Sequence, residues 1–381
     1  MLLIGEAWGE QEAKIRKPFA GESGKELWRM LGEAIPDLLP AEHSRVCDLH
    51  KYDLAWTGHR DAWLEAASIS FTNVFNFRPP DNKIEALCVQ KKDLPSSYDL
   101  PAIKQAKYLR PEFFPELDRL NEEIIESKPN LVVAMGNTAC WALLRTTNIS
   151  SIRGTATSSN SFGLLNQKIL PTYHPAGVLY QWSWRPIVVA DLMKAFRESS
   201  FPEIRRPRRE ILVSPTIEEW SDWTEQTLAQ PPQWLANDLE TTAGLIDTVG
   251  FATSPSNGIV CMVGPHRVKI GESYRYIWPS RCGQPRPSYW GHNEELHFWN
   301  CCFSLLASPI PKLFQNGMYD LQYWLRMGAA PRAVLEDTML AHHSLFPEMQ
   351  KSLGFLGSIY TDESSWKLMR RHKNDSEKRD E

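Results

Sequence analysis

Four short apolar runs, at residues 1–5, 69–75, 131–135 and 168–173, punctuate the first ~200 residues. Stretches with helical spacing lie between or after them, at 25–33, 116–127, 138–144 and 186–198. Parallel strands need long crossovers, and helices supply them. The alternation therefore predicts an α/β fold with a parallel sheet and helices on both faces. Ligands on such sheets bind beyond the carboxyl ends of the strands. Residues 5–9, 73–80 and 173–177 all belong to those ends.

Residues 201–210, Phe-Pro-Glu-Ile-Arg-Arg-Pro-Arg-Arg-Glu, carry two prolines and four arginines and no periodicity. They read as a linker, either a solvated connector or a phosphate-contacting strip. A second α/β unit follows. Its strands are expected at 234–240, 248–253 and 258–263, and its helices at 294–306, 318–327 and 338–345. Residues 264–287 form a Pro/Gly-rich excursion. From Lys367 the chain becomes charged and loses its apolar spacing, which predicts a disordered tail. The expected organisation is thus a domain over 1–200, a linker over 201–210, a second domain over 211–366 and a tail over 367–381.

Composition narrows the class. In 381 residues, 42% are apolar and 23% charged, enough for real cores. A net charge of −4 means that any basic surface must be local. Fifteen tryptophans exceed ordinary usage, and those not needed in cores are candidates for stacking on bases. Seven cysteines, an odd number with no Cys-x-x-Cys, argue against a disulfide framework or a zinc knuckle and for a reducing cytoplasm. No signal peptide and no bilayer-spanning apolar run is apparent, so no membrane partner is expected.

Chemistry concentrates in two places. In the second unit, Asp238-Leu239-Glu240 sits on a predicted strand, where residues i and i+2 share a face. Asn316-Gly-Met-Tyr-Asp320 opens a predicted helix. Three carboxylates and an amide brought together would suit Mg²⁺ or Mn²⁺ rather than zinc. Each motif alone is common. Their order and context, Asn237-Asp-Leu-Glu-Thr-Thr242, Phe314-Gln-Asn-Gly-Met-Tyr-Asp-Leu-Gln-Tyr-Trp-Leu325 and Glu336-Asp-Thr-Met-Leu340, resemble the 3′–5′ proofreading exonuclease domain of family A, DNA polymerase I-like, DNA polymerases. Ser352-Leu-Gly-Phe-Leu-Gly-Ser-Ile-Tyr-Thr361 looks like the bacteriophage branch. The resemblance implies an RNase H-like fold, metal-ligand roles for Asp238, Glu240 and Asp320, and a supporting role for Asn316. The family closes its site with a Tyr-x-x-x-Asp helix that this sequence lacks. The front piece of a split polymerase, with that helix on a separate polypeptide, is the expected explanation.

In the first unit, the loop segments offer Glu6, Phe19, Asn73 and His174. A ring can stack on a base, an amide can match the O4/N3 edge of uracil, and a histidine can stabilise a departing base anion. The ordered motifs Gly5-Glu-Ala-Trp-Gly-Glu-Gln-Glu12, Lys17-Pro-Phe-Ala-Gly-Glu-Ser-Gly24, Thr72-Asn-Val-Phe-Asn-Phe-Arg-Pro-Pro80, Leu131-Val-Val-Ala-Met-Gly136 and Thr172-Tyr-His-Pro175 resemble the uracil-DNA glycosylase superfamily, nearest to family 4. The resemblance implies a four-stranded parallel sheet in a three-layer α/β/α sandwich. It implies pocket roles for Glu6, Ala7, Phe19, Asn73 and His174. Family 4 enzymes usually carry an iron–sulfur cluster on four cysteines. Two of them would precede the first motif, and a third would stand where this chain has Phe77, so no iron–sulfur cluster is expected. Trp8 replaces the usual proline.

The two resemblances together describe a phage-type DNA replication and repair protein that acts on uracil-containing DNA and on single-stranded or frayed 3′ ends. A non-catalytic DNA-binding accessory subunit, or a scaffold that docks a polymerase, are the alternatives.

Overall fold

The computed structural model describes residues 1–35, 64–65, 67–159, 164, 166–242, 244–264, 266–270, 273–277 and 290–363. Cys47, Cys282 and the charged tail expected at 367–381 lie outside them. The described chain divides into two compact units, residues 1–206 with 354–363, and residues 207–353.

The first unit is built on a sheet of β1 (Leu2–Ala7), β2 (Ser70–Phe75), β3 (Val132–Met135), β4 (Thr157–Ser158) and β5 (Lys168–Thr172), in the order β2-β1-β3-β5-β4. The four long strands are parallel, as expected. The two-residue β4 adds an antiparallel edge that no periodicity announces. Central β3 and β5 are buried throughout, as strands covered on both faces must be. The helices are α1 (Glu10–Ile15), α2 (Glu22–Ala34), α3 (Phe114–Ser127), α4 (Gly136–Leu144), α5 (Pro175–Tyr180) and α6 (Arg185–Glu198). The chain steps left from β1 to β2, then right to β3 and β5. Right-handed crossovers therefore put α2 on one face and α3 and α4 on the other. α6 joins α2, giving three layers.

The second unit carries a mixed sheet in the RNase H-like arrangement. Its strands are β6 (Glu210–Val213), β7 (Leu235–Thr242), β8 (Leu245–Ser254), β9 (Asn257–Met262), β10 (Lys312–Phe314) and β11 (Leu335–Asp337). The order is β11-β10-β7-β8-β9-β6. β7, β8 and β9 form an antiparallel meander, while β10 and β11 continue parallel to β7. His266–Ile270 and Ser273–Ile277 form a separate antiparallel ribbon within the Pro/Gly-rich excursion. Helices α7 (Ile217–Ala229), α8 (His292–Ala307), α9 (Gly317–Arg326) and α10 (Thr338–Leu345) accompany the sheet. α7 starts on a capping box in which Thr216 and Glu219 bond reciprocally to each other's backbone N–H. The core is aromatic, with Trp220 4.6 Å from Phe298 and Phe251 6.3 Å from Trp324, centroid to centroid.

One boundary differs from the sequence expectation. The helix Leu353–Tyr360 follows the second unit in the chain but packs on the first. Buried Lys194 donates to Ser358 O at 2.7 Å, Thr361 O at 2.6 Å and Gly154 O at 2.8 Å. The Ser358 carbonyl is one that the C-terminal turn of this helix leaves open. Arg153 Nη1 donates to Ser358 Oγ at 2.9 Å, and Thr155 Oγ1 to Glu363 O at 3.2 Å. Arg153 also pairs with Asp191 in a site where both side chains are almost fully buried. Residues 201–206 likewise belong to the first unit. Buried Lys168 donates to Glu198 O, Phe201 O and Glu203 O. Both ends of the second unit are thus continuous with segments fixed on the first. Among the described residues no helix is long and apolar enough to cross a membrane.

Candidate functional site

Beyond the carboxyl ends of β1, β2 and β5, a cavity of about 380 Å³ is lined by Glu6, Ala7, Phe19, Asn73 and His174, together with Trp8, Glu12 and Tyr180. Every pocket residue expected from sequence reaches it. Gly5 shows how tightly they converge. A Cβ there would lie 2.4 Å from Asn73 Oδ1, 2.6 Å from Phe19 Cζ and 3.3 Å from His174 Nε2. Any other residue at position 5 would displace the groups gathered there. Gly136, at φ +87°, plays the same part behind the histidine, since its Cβ would lie 2.9 Å from His174 Cβ.

Each side chain is held by its surroundings. His174 caps α5, and its Nδ1 accepts the Ala176 N–H at 3.1 Å. The ring proton therefore resides on Nε2, the nitrogen beside Gly5. Burial pushes the His174 pKa down to about 4, so the ring is neutral at pH 7. Glu6 accepts a short hydrogen bond from the Thr138 hydroxyl at the start of α4. Burial raises its pKa, and the Thr138 bond works in the opposite direction. Phe19 is buried with φ at +53°, an unusual setting for a bulky residue and the kind of local strain found where a ring must be aimed. Its ring centroid lies 6.0 Å from that of His174.

Asn73 is buried on β2, and α3 secures the strand around it. Arg119 Nη2 donates to Asn73 O at 2.8 Å and Val74 O at 3.0 Å. Glu116 accepts the Asn76 N–H at 2.9 Å, and Glu123 accepts the Thr72 hydroxyl at 2.7 Å. Glu12 is buried against the loop that carries Phe19 and accepts Gly21 N–H at 2.9 Å. Sequence reading singled out none of Thr138, Arg119 and Glu12. Glu116, Arg119 and Glu123 do share helical i, i+3, i+7 spacing, which was the available signal.

In the second unit, Leu235, Asn237 and Leu239 of β7 are buried, while Asp238 and Glu240 are exposed on the alternate face. Asp320 lies one helical turn into α9 and is buried. Its Oδ1 accepts Leu239 N–H at 2.9 Å, between the two exposed acids in the chain. Where β10 stops pairing with β7, the Asp320 side chain takes over the strand's free donor. Burial, and then the charges of Asp238 and Asp337, push the Asp320 pKa up to about 7, against the pull of the Leu239 N–H. Asn316 adopts left-handed φ of 60° before α9, which asparagine tolerates better than most residues. Asp337 ties that turn down. It accepts N–H groups of Asn316 at 3.1 Å, Gly317 at 2.7 Å and Met339 at 2.8 Å, so one carboxylate serves the starts of both α9 and α10. An Asp immediately before a helix was the sequence signal for it. Among the described residues no three His, Cys, Asp or Glu side chains come together closely enough to hold a metal ion.

The raised pKa of Asp320 carries a definite sign. Unfolded, the group ionises near 3.8; folded, near 7. Its favourable contribution is complete below pH 3.8 and is lost as pH rises through 7. Asp320→Asn removes the charge and keeps an acceptor for Leu239 N–H. In metal-free buffer at pH 8 it should stabilise the second unit by on the order of 2 kcal/mol, with little change at pH 3.5. Urea unfolding at the two pH values measures this; equal stability of variant and wild type at pH 8 would contradict it.

Residues 1–198 match the Uracil DNA glycosylase superfamily. The chain is 26% identical over 198 residues to the Type-4 uracil-DNA glycosylase of Sulfurisphaera tokodaii, covering 51% of this chain and 67% of that protein. It is 26% identical over 201 residues to the Type-4 uracil-DNA glycosylase of Saccharolobus solfataricus, covering 51% of this chain and 68% of that protein. Among solved structures it is similar to Escherichia coli RNase D, at 13% identity and a TM-score of 0.27, over 42% of this chain and 34% of that one. The chain thus spans about a third of the RNase D chain, and a likeness at that score says nothing of the second unit's chemistry. The match over the first unit is of a different order: the chain belongs to the uracil DNA glycosylase superfamily.

Proposed function

We propose that the first unit is a uracil-DNA glycosylase, hydrolysing the N-glycosidic bond of deoxyuridine in DNA. The observation that carries this is the convergence of Asn73 Oδ1, Phe19 Cζ and His174 Nε2 around Gly5. A flipped uracil stacks on the Phe19 ring. The Asn73 amide, both donor and acceptor, matches the O4/N3 edge. As the C1′–N bond breaks, its electron pair leaves with the base, and the neutral His174 Nε2–H donates to the charge growing on the uracil oxygen. Glu6, held by Thr138, faces the sugar side, where it orients water and offsets positive charge at C1′.

The second unit, in the same reading, is a 3′–5′ exonuclease domain of the kind found in family A polymerases. The expected ligand trio Asp238, Glu240 and Asp320 is not gathered into a three-carboxylate cluster among the described residues, so these side chains would have to converge to hold Mg²⁺ or Mn²⁺. Hard carboxylate oxygens suit such ions, and a buried Asp320 pushed up to about 7 beside Asp238 fits a donor pair that a cation would relieve. When bound, the ion would supply Lewis-acid activation of water. The chain's own part is positional: Leu239 N–H fixes Asp320, and Asp337 fixes the turn before α9. The protein would work in the cytoplasm of a phage-infected host on uracil-containing DNA and frayed 3′ ends. The lack of a three-carboxylate cluster among the described residues favours one rival for this unit, a DNA-binding accessory role without catalysis.

Two assays on the full chain separate these readings. Uracil should be released from a uracil-containing strand even in EDTA. A 5′-labelled strand should shorten from its 3′ end only with Mg²⁺ present, and not in Asp238→Ala. DNA binding with neither activity would leave only the accessory role.

A further inference from the structure

We infer that this chain self-associates through β6, whose open edge pairs antiparallel with β6 of a second copy across a twofold axis.

β6 ends the sheet of the second unit. It pairs with β9 on one side, and among the described residues no strand pairs with its other edge. Backbone groups point to alternate sides along a strand. Glu210 N–H donates to Ser256 O at 2.7 Å and Ser214 N–H to Val260 O at 2.9 Å, both towards β9. Ile211 and Val213 therefore turn their N–H and C=O groups to the open edge. Their surroundings offer little shield, since Ile211 is 50% exposed, Leu212 41% and Val213 70%. Three apolar residues in a row, with no charge or proline among them, lack the devices that usually block pairing at a sheet edge.

The open stretch is short and its limits are sharp. Pro207 and Pro215 lack the N–H that a ladder needs, and Ser214 turns to a left-handed φ of 52°. Reversed and laid alongside, the same strand fits this stretch. Ile211 of one copy then stands opposite Val213 of the other, and Val213 opposite Ile211. Each pair exchanges two N–H to C=O bonds. Leu212 lies on the axis and faces its own copy, so the contact closes on itself and makes a dimer rather than a filament.

Charge selects the second copy as the occupant. Arg208 and Arg209 precede the strand and are exposed, while exposed Glu218 and Glu219 open α7 just after it. Two copies running in opposite directions bring the basic flank of each towards the acidic flank of the other. A parallel pair would set arginines beside arginines. Rim charges of this kind fix register and partner more than they add affinity. The paired surface is small, so the dimer is weak and reversible.

Sedimentation velocity of the full chain, over about a hundredfold range of concentration up to the highest that stays soluble, tests this. Wild type should pass reversibly from monomer to dimer, and added salt should weaken the dimer. Val213→Pro removes an outward N–H and leaves the ladder to β9 intact, so it should weaken dimerisation at least tenfold with the melting temperature little changed. If that variant fails to fold, Ile211→Lys/Val213→Lys puts like charges across the same edge and should give the same loss. Arg208→Glu should weaken the dimer about fivefold, and Arg208→Glu/Glu218→Arg should recover it. Mild oxidation reads the register. Leu212→Cys should gain a disulfide-linked dimer that wild type lacks, because Leu212 meets its own copy in a close, non-hydrogen-bonded pair, while Ile211→Cys should not. Wild type that stays monomeric throughout, or an edge variant that dimerises as tightly as wild type, would overturn the inference. So would a cross-link in Ile211→Cys and none in Leu212→Cys.

Discussion

Arg153→Ala should destabilise the first unit by about 4 kcal/mol. The cause is stranded charge rather than a lost attraction. Asp191 is buried and receives Arg153 Nε at 3.0 Å, a second bond from Nη2, and the Thr172 hydroxyl at 2.7 Å. Removing the guanidinium leaves a carboxylate in a site that excludes water. It also removes the donor to Ser358 Oγ and the cation 5.5 Å from the Phe355 ring. The C-terminal helix would then be held chiefly by Lys194. A domain of this size loses roughly 2–4 °C per kcal/mol, so its melting transition should fall by about 10 °C. The double variant Arg153→Met/Asp191→Leu should recover much of the loss, because an apolar pair of similar volume strands no charge. Lys14→Ala, which breaks an exposed pair with Glu10, should leave stability nearly unchanged. Thermal unfolding of the full chain, with limited proteolysis of residues 353–363, measures all three. A loss under about 1 kcal/mol in Arg153→Ala would mean that Asp191 finds water or another donor, and that the cluster does not hold the helix.

That cluster marks a limit of what sequence conveys. The parallel strands were legible because each is an apolar run with helical spacing beyond it. The pocket residues were legible because they stand at the ends of those runs. β10 and β11 are three residues each, too short for a period to register. The helix Leu353–Tyr360 is visible as an apolar segment, but its address is not. Arg153, Lys194 and Ser358 are separated by as many as 205 residues, and nothing in their local context says that they meet. Thr138 and Glu6 are 132 residues apart and pose the same problem. In the acidic site, the alternation of β7 correctly put Asp238 and Glu240 on one face, and the motif put Asp320 near them. The burial of Asp320 and its bond to Leu239 N–H were not legible. They depend on β10 ending where it does.

His174→Ala should lower the rate of uracil release by about a thousandfold with substrate affinity changed far less, since the group acts on charge that exists only as the bond breaks. The geometry specifies more than a rate. With Nδ1 occupied by the Ala176 N–H, Nε2 is the donor, and a pKa near 4 keeps the ring neutral across the working range. On the proposed reading, His174 would therefore stabilise the leaving base as a neutral dipole and would not hand over a proton from an imidazolium. If it acted as a general acid of ordinary pKa, wild-type activity would fall as pH rose through 6.5. The expected profile shows no decline as pH rises above 6.5, and its acid limb is set by Glu6, whose pKa burial raises. Stability supplies a second, independent readout. The folded-state pKa lies below the unfolded value of 6.5, so the contribution is complete above pH 6.5 and is lost as pH falls towards 4, by on the order of 3 kcal/mol. His174→Asn removes that titration. Between pH 4 and 6.5 the variant should therefore unfold with a weaker pH dependence than wild type while remaining slow in uracil release. A wild-type profile that declines above pH 6.5, or a His174→Asn variant whose unfolding keeps the wild-type pH dependence, would show that the imidazole is charged in the folded protein and that the neutral-donor mechanism is wrong.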